Sequence, residues 1–218
     1  MGLFRLFLSG GVVMWPLLVA SILVMTLVFE RARFWWQIQH QQDPMLRKVL
    51  AAYAQKPQAA IDMLQQQRHL PLARIFLAAL TLEQATPDEF SLALASAAQA
   101  ELPLLKRFNT LFDTVIGAAP LLGLLGTILG LIAALASAEV GNVSGEEAAA
   151  VTAGISEALV STAFGLIVAL LALLFANLFQ GLYRRQRAII EDYTGRLELL
   201  YRRYYRRYLA RARDLRAQ

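Results

Sequence analysis

Three runs along the chain stay apolar for long enough to cross a bilayer: residues 12–29, 115–136 and 158–179. A helix rises ~1.5 Å per residue, so about 20 such residues span a hydrocarbon core of roughly 30 Å. Between the first two runs the spacing is helical but interrupted at Pro44, Pro57 and Pro71, which predicts several short helices, with no strand-like alternation. The stretch "TPDEF" then offers a helix start, with Thr86 as N-cap, Pro87 at the first position and Glu89 closing a capping box. Helical periodicity continues from there through the second apolar run, with bends expected at Pro103 and Pro120. A second capping box, Ser144 to Glu147, precedes the third run. No stop signal separates that run from the tail, so the two read as one helix.

Charge gives these helices a direction. Nine of the Lys and Arg residues lie between the first and second runs and eleven follow the third, leaving only Arg5 ahead of the first. The turn between runs two and three has none and carries Glu139, Glu146 and Glu147. By the positive-inside rule the N-terminus and that turn face outward, and the basic regions face the cytoplasm. Trp15 at one end of the first run, with Trp35 and Trp36 beyond the other, suits the two interfaces. Pro16 falls near a helix start, where its missing N–H costs little. The expected fold is an all-α membrane protein with three transmembrane helices and long cytoplasmic helical extensions. Its segments are an outer N-terminal stretch (1–11), transmembrane helix 1 (12–29), a cytoplasmic helical segment (30–110), transmembrane helix 2 (111–138), an outer turn (139–146), transmembrane helix 3 (147–180) and a basic cytoplasmic tail (181–218).

Composition agrees and narrows the chemistry. The chain is 57% hydrophobic with a mean hydropathy of +0.47, which points away from a soluble fold. Without cysteine it has neither a disulfide framework nor a thiolate metal site. The first run leads into "FERARFWW" where a small-residue cleavage site would be expected, so it reads as a retained anchor. The net charge of +5 reads as an orientation signal more than a nucleic-acid surface. No nucleophile, metal or cofactor constellation supports an enzyme, and no cofactor is expected.

The informative chemistry is the distribution of small residues around the later helices. Counted from Glu157 at ~100° per residue, Ser161, Ala172, Gly165, Ala158, Ala176, Ala169 and Thr162 fall between about 40° and 140°, with leucines opposite. The second run divides likewise: Ala119, Pro120, Gly123, Gly126, Thr127, Gly130, Ala133 and Ala134 share a face. Small faces let helix backbones approach, and "GTILG" is itself a GxxxG motif, so packing alone explains the glycines. It does not require a carboxylate. Glu157 in a span carries an insertion cost of about 2.5–3.5 kcal/mol and marks an ion or proton path, unless it sits hydrated at the outer interface. Other ionisable groups carry less. Asp113 follows Arg107 closely and reads as an inner-surface residue, while His40 and His69 lie far apart without a metal-ligand pattern. "GLLGTILG" lacks the strand and the Lys-Ser/Thr of a phosphate loop.

At these residues the chain resembles the ExbB/TolQ proton-channel family, more distantly related to the flagellar stator MotA, and in appearance is closest to ExbB-type biopolymer transport proteins. The resemblance rests on "GGVVMWPLL", "GAAPLLGLLGTILGLI" and "GISEALVSTAFGLIVALLALLFANLF", and covers nearly the whole chain. Family members often have a proline where this chain reads "IVALLALLFAN", so their local kink is not expected here. The resemblance implies a homopentamer around a dimer of single-span ExbD-like or TolR-like partners, coupled to a TonB-like or TolA-like transducer in the bacterial inner membrane. It implies that Glu157 matches the family's intramembrane glutamate and that Thr127 and Thr162 match its lumen-lining threonines, with Ser161 beside them. Gly123, Gly126, Gly130, Gly165 and Pro120 would then form the packing and lumen face. A Tol-linked subunit, an independent channel or transporter, and a membrane scaffold stand as alternatives.

Overall fold

The structure is a computed structural model that describes residues 7–136 and 145–216. From Met14 onward the described residues form six helices in order: α1 (Met14–Gln55), α2 (Pro57–Gln66), α3 (Pro71–Leu80), α4 (Pro87–Leu105), α5 (Asn109–Ala136) and α6 (Gly145–Arg216). Among the described residues there is no strand. Two helical stretches, within Pro87–Ala136 and within Ala148–Ala210, are long and apolar enough to cross a membrane. The remaining apolar run, 12–29, enters α1, which begins at Met14.

The prolines divide by context. Pro57 and Pro71 each open a helix, where the absent N–H is one that would lack an intrahelical partner anyway. Pro44 does not interrupt the chain as its position suggests; it lies inside the 42-residue α1. A proline in a helix interior costs about 3 kcal/mol. Ile38, Gln42, Met45, Leu46 and Val49 are buried on both sides of it, so tertiary packing holds the helix across the defect. The reverse correction applies further on. The periodicity from Thr86 is not continuous, because the helix ends at Leu105 and a new one starts at Asn109. Phe108 between them takes the left-handed conformation (φ 71°), and its carbonyl accepts from the Leu111 and Phe112 amides. The bend expected at Pro103 is thus a break just after it. Pro120 is accommodated within α5. Ser144 lies outside the described residues, and α6 runs as a single helix across the apolar run and the tail.

The chain divides into two compact units, Met1–Arg31 with Phe108–Phe179 and Ala32–Arg107 with Gln180–Gln218. In the first, Val13 just ahead of α1, Met14, Leu17 and Val24 of α1, Phe112, Val115 and Ala119 of α5, and Ala158, Val168 and Ala172 of α6 form the core. Outward positions of the same helices are apolar too, with Leu121 66%, Leu159 67% and Leu170 66% exposed. A soluble surface would not carry so many large apolar side chains in one unit, whereas hydrocarbon solvates them.

The second unit has a conventional half-polar packing. α3 is buried along most of its length and packs on α2 and α4. Arg74 grips the buried Glu101 of α4 with two bonds, Nε–Oε1 at 2.7 Å and Nη2–Oε2 at 2.5 Å. That hydrogen bond raises the affinity of the guanidinium for its proton. Gln42 and Gln186 exchange amide bonds at 3.2 and 2.9 Å, and both are buried. Phe90 stacks on Tyr201 at 3.9 Å, and the Tyr201 hydroxyl donates to the Ala85 carbonyl at 2.6 Å.

The capping box forms as its sequence directs. The Glu89 amide donates to Thr86 Oγ1 at 3.3 Å, and the Thr86 amide donates to Glu89 Oε2 at 2.7 Å. Accepting that backbone bond, and a second from the Thr86 hydroxyl at 2.8 Å, holds the Glu89 carboxyl below its ordinary range. Its stabilisation is therefore present above the ordinary glutamate pKa and is lost as pH falls through the lower folded value. Thr86→Ala should cost about 1 kcal/mol at neutral pH, read by chemical denaturation, and the difference from wild type should shrink in acid. A difference that grows in acid would contradict this assignment.

Candidate functional site

The site is built where α5 and α6 approach most closely, and glycines make that approach possible. A side-chain carbon on Gly165 would lie 2.6 Å from the Ala119 carbonyl oxygen and 3.0 Å from the Gly123 Cα. One on Gly130 would lie 2.6 Å from the Gly154 carbonyl oxygen and 2.9 Å from the Ala158 nitrogen. On Gly123 it would meet the Ser161 carbonyl oxygen and Thr162 Cα, both at 3.0 Å, and on Gly126 it would overlap the Ser161 side chain. These obstacles are mostly backbone, which cannot swing aside. The small faces of α5 and α6 are therefore used against each other within one subunit, the close packing that small residues permit between apolar helices.

The hydroxyls line the same seam. Ser161 is fully buried; its Oγ donates to the Ala158 carbonyl at 2.9 Å and reaches the Gly123 carbonyl at 3.4 Å. Thr162, half-buried, donates across the seam to the Gly123 carbonyl at 3.1 Å. Thr127, also half-buried, donates back along its own helix to the Leu124 carbonyl at 2.6 Å. Each hydroxyl has thus committed its proton to a carbonyl and keeps its lone pairs, so towards a proton or cation it acts as an acceptor. Pro120, half-buried, sits one turn before Gly123.

Glu157 stands at the edge of this seam, half-buried, one turn before Ser161. It lies against the turn that leads into α1: its Oε1 occupies the place where a side chain on Gly11 would begin. The carboxylate is therefore level with the start of α1, beside Val160, which contacts the Gly10 position. Two features of this neighbourhood went unread in the sequence. Gly154 falls on the small face at about 60° by the same ~100° stepping, but lies one turn ahead of the residue from which the face was counted. Gly11 was visible only as part of "SGG", a pattern that names a turn without naming what the turn touches.

The remaining candidates fall elsewhere. Asp113 is exposed on α5. His40 and His69, distant in sequence, line one cleft of about 580 Å³ together with Gln41, Lys48 and Met63. His69 Nε2 lies 2.8 Å from Gln41 Oε1, and His40 Nδ1 lies 3.2 Å from the Trp36 carbonyl. Among the described residues no three His, Cys, Asp or Glu side chains gather as a metal site.

Comparison with known proteins converges on one family. Residues 67–192 match the model of the MotA/TolQ/ExbB proton channel family, a range that contains α5 and the seam with Glu157. A biopolymer transport protein of Synechocystis sp., ExbB-like 3, is 57% identical over 198 residues, 91% of this chain and 94% of its own length. A second from the same organism, ExbB-like 1, is 40% identical over 197 residues, 90% of this chain and 78% of its own length.

Proposed function

Because this chain belongs to the MotA/TolQ/ExbB proton channel family, we propose that it is the channel subunit of an inner-membrane motor driven by the proton motive force. In this reading it works with an ExbD/TolR-like single-span partner to energise TonB-dependent transport at the outer membrane. The observation that carries the reading is Glu157: a half-buried carboxylate on an apolar helix, beside a seam whose hydroxyls offer acceptor lone pairs. The names of the relatives favour an ExbB-like role over a Tol-linked one. The apolar run 12–29 supplies a third crossing, since Val19 (67%) and Phe29 (68%) point out of α1 as a lipid-facing helix would have them. The positive-inside rule sets the N-terminus outside and the basic tail in the cytoplasm. Five copies around a partner dimer complete the path. The partner supplies the second titrating group, so this chain alone is an incomplete channel.

Reconstitution tests the reading. Vesicles holding the chain and its ExbD/TolR-like partner should pass protons under an imposed potential, and vesicles holding the chain alone should not. In cells, cysteine placed at Asn142 should react with an impermeant reagent added outside, while cysteine at Gln58 should not. Flux without the partner would make the chain an independent channel, and the opposite labelling pattern would overturn the orientation.

A further inference from the structure

Of the glycine pair ahead of the first apolar run, Gly10–Gly11, the second packs directly against the Glu157 carboxylate. Gly11 adopts φ +72°, the left-handed region that residues with a side chain rarely enter. Its carbonyl accepts from the Met14 amide at 3.2 Å, so this conformation turns the chain into α1. A side chain there would not merely be strained. Its first carbon would overlap Glu157 Oε1 and would stand 2.5 Å from Cδ and 3.1 Å from Cγ of the same residue. Gly10 differs: the nearest atoms a side chain there would meet are Cγ and Sδ of Met14, at 2.6 and 2.7 Å, and Cγ1 of Val160 at 3.1 Å.

We propose that Gly11 is a positioning residue for Glu157: the hydrogen it carries in place of a side chain opens the space in which the carboxylate stands, and its turn fixes where that carboxylate meets the ion path. Three facts on one spot support this. The backbone conformation favours glycine, the carboxylate overlaps the place of the missing Cβ, and the neighbouring glycine, in the same turn, has its nearest contacts elsewhere. A Cα–H facing a carboxylate oxygen is also a weakly favourable contact. The carboxylate of a relay must be held within about half an ångström of its working place. A turn of backbone holds it more rigidly than a flexible side chain would. The functional half of this proposal rests on the reading of Glu157 given above; the contact itself does not.

A double-mutant cycle on the purified full-length chain in detergent separates the contact from the strain. Gly11→Ala carries the cost of a positive φ in any background, but carries the overlap only where Glu157 is present. Gly11→Ala should therefore lower the melting midpoint by about 5 °C more with Glu157 than in a Glu157→Ala background, a non-additivity expected of touching residues. Gly10→Ala should cost the same in both. If Gly11→Ala does not fold at all, Glu157→Ala should restore folding. Equal losses in the two backgrounds, or no restoration, would overturn the proposal. In vesicles with the partner, Gly11→Ala should reduce flux, and Gly11→Ala with Glu157→Asp should exceed Gly11→Ala alone, because the shorter acid withdraws from the added methyl. If the cycle shows coupling while Glu157→Gln conducts normally, the contact stands and the proton-path reading fails; coupling with no flux rescue by Glu157→Asp would reduce Gly11 to a structural role and overturn its positioning role.

Discussion

Gly165→Leu should dismantle the α5–α6 seam and with it the folded subunit. The first carbon of any side chain at this position meets the Ala119 carbonyl oxygen at 2.6 Å and the Gly123 Cα at 3.0 Å. Both belong to helix backbone, so relief requires the helices to part. Parting would also break the Thr162 and Ser161 bonds to the Gly123 carbonyl, leaving polar groups in an apolar setting. Overpacking a tight core costs about 1–3 kcal/mol where side chains can adjust, and here they cannot, so a loss of ~3 kcal/mol or more is expected. Gly130→Leu should behave alike, since it drives into the Gly154 carbonyl and the Ala158 amide. Gly117→Ala is the matched control. Nothing lies within 4 Å of the added carbon, and alanine improves on glycine in a helix by up to ~1 kcal/mol. Melting and size-exclusion profiles of the detergent-extracted chain should show Gly165→Leu and Gly130→Leu aggregated or poorly folded and Gly117→Ala unchanged or more stable. A well-folded Gly165→Leu would mean that the seam is not where this subunit closes.

That seam was legible in the sequence because helical geometry is strict. Stepping at ~100° per residue separates Gly165, Ala158 and Ser161 from Leu166, Leu159 and Leu170 without any knowledge of the partner helix. The same step count does not say what a small face will meet. Gly123, Gly126, Gly130 and Gly165 meet the facing helix of their own chain, Thr162 donates to it, and Glu157 meets the turn at Gly11. Local chemistry was equally readable at Thr86–Glu89, where both halves of the capping box lie within four residues. It misled at Pro44, where a local rule was outweighed by buried neighbours on α1, and at Phe108, where a residue without glycine's freedom ends up at positive φ. The shared cleft of His40 and His69 and the touch of Gly11 on Glu157 are long-range facts. Periodicity carries no information about them.

Glu157→Gln should abolish proton flux while leaving the subunit folded. The amide matches the carboxylate in shape, so its fit beside Gly11 is retained, but it cannot ionise and cannot hand a proton on. Removing a positioned proton-transfer group costs about 10²-fold or more, and partner-dependent flux should fall by that order in Glu157→Gln and in Glu157→Ala alike. Thr127→Val and Thr162→Val remove acceptors that orient or hydrate the path without carrying the proton themselves, so their losses should be smaller. Thr162→Val should also show a modest stability loss from its missing bond to Gly123. The energetics require the path to turn over repeatedly. One proton falling through ~100 mV supplies about 2.3 kcal/mol, whereas driving a two-state element from 1:99 to 99:1 takes about 5.5 kcal/mol. At that potential a committed step needs about two to three protons, or a pH gradient in addition. In the proposed five-copy complex, each copy bearing a Glu157 would supply them in sequence. Flux should therefore fall more than in proportion as Glu157→Gln subunits are mixed with wild type, because one blocked station stalls a cycle that the others have begun. A linear decline would instead make the glutamates of the complex independent conduits, and normal flux in the all-Gln complex would remove Glu157 from the path altogether.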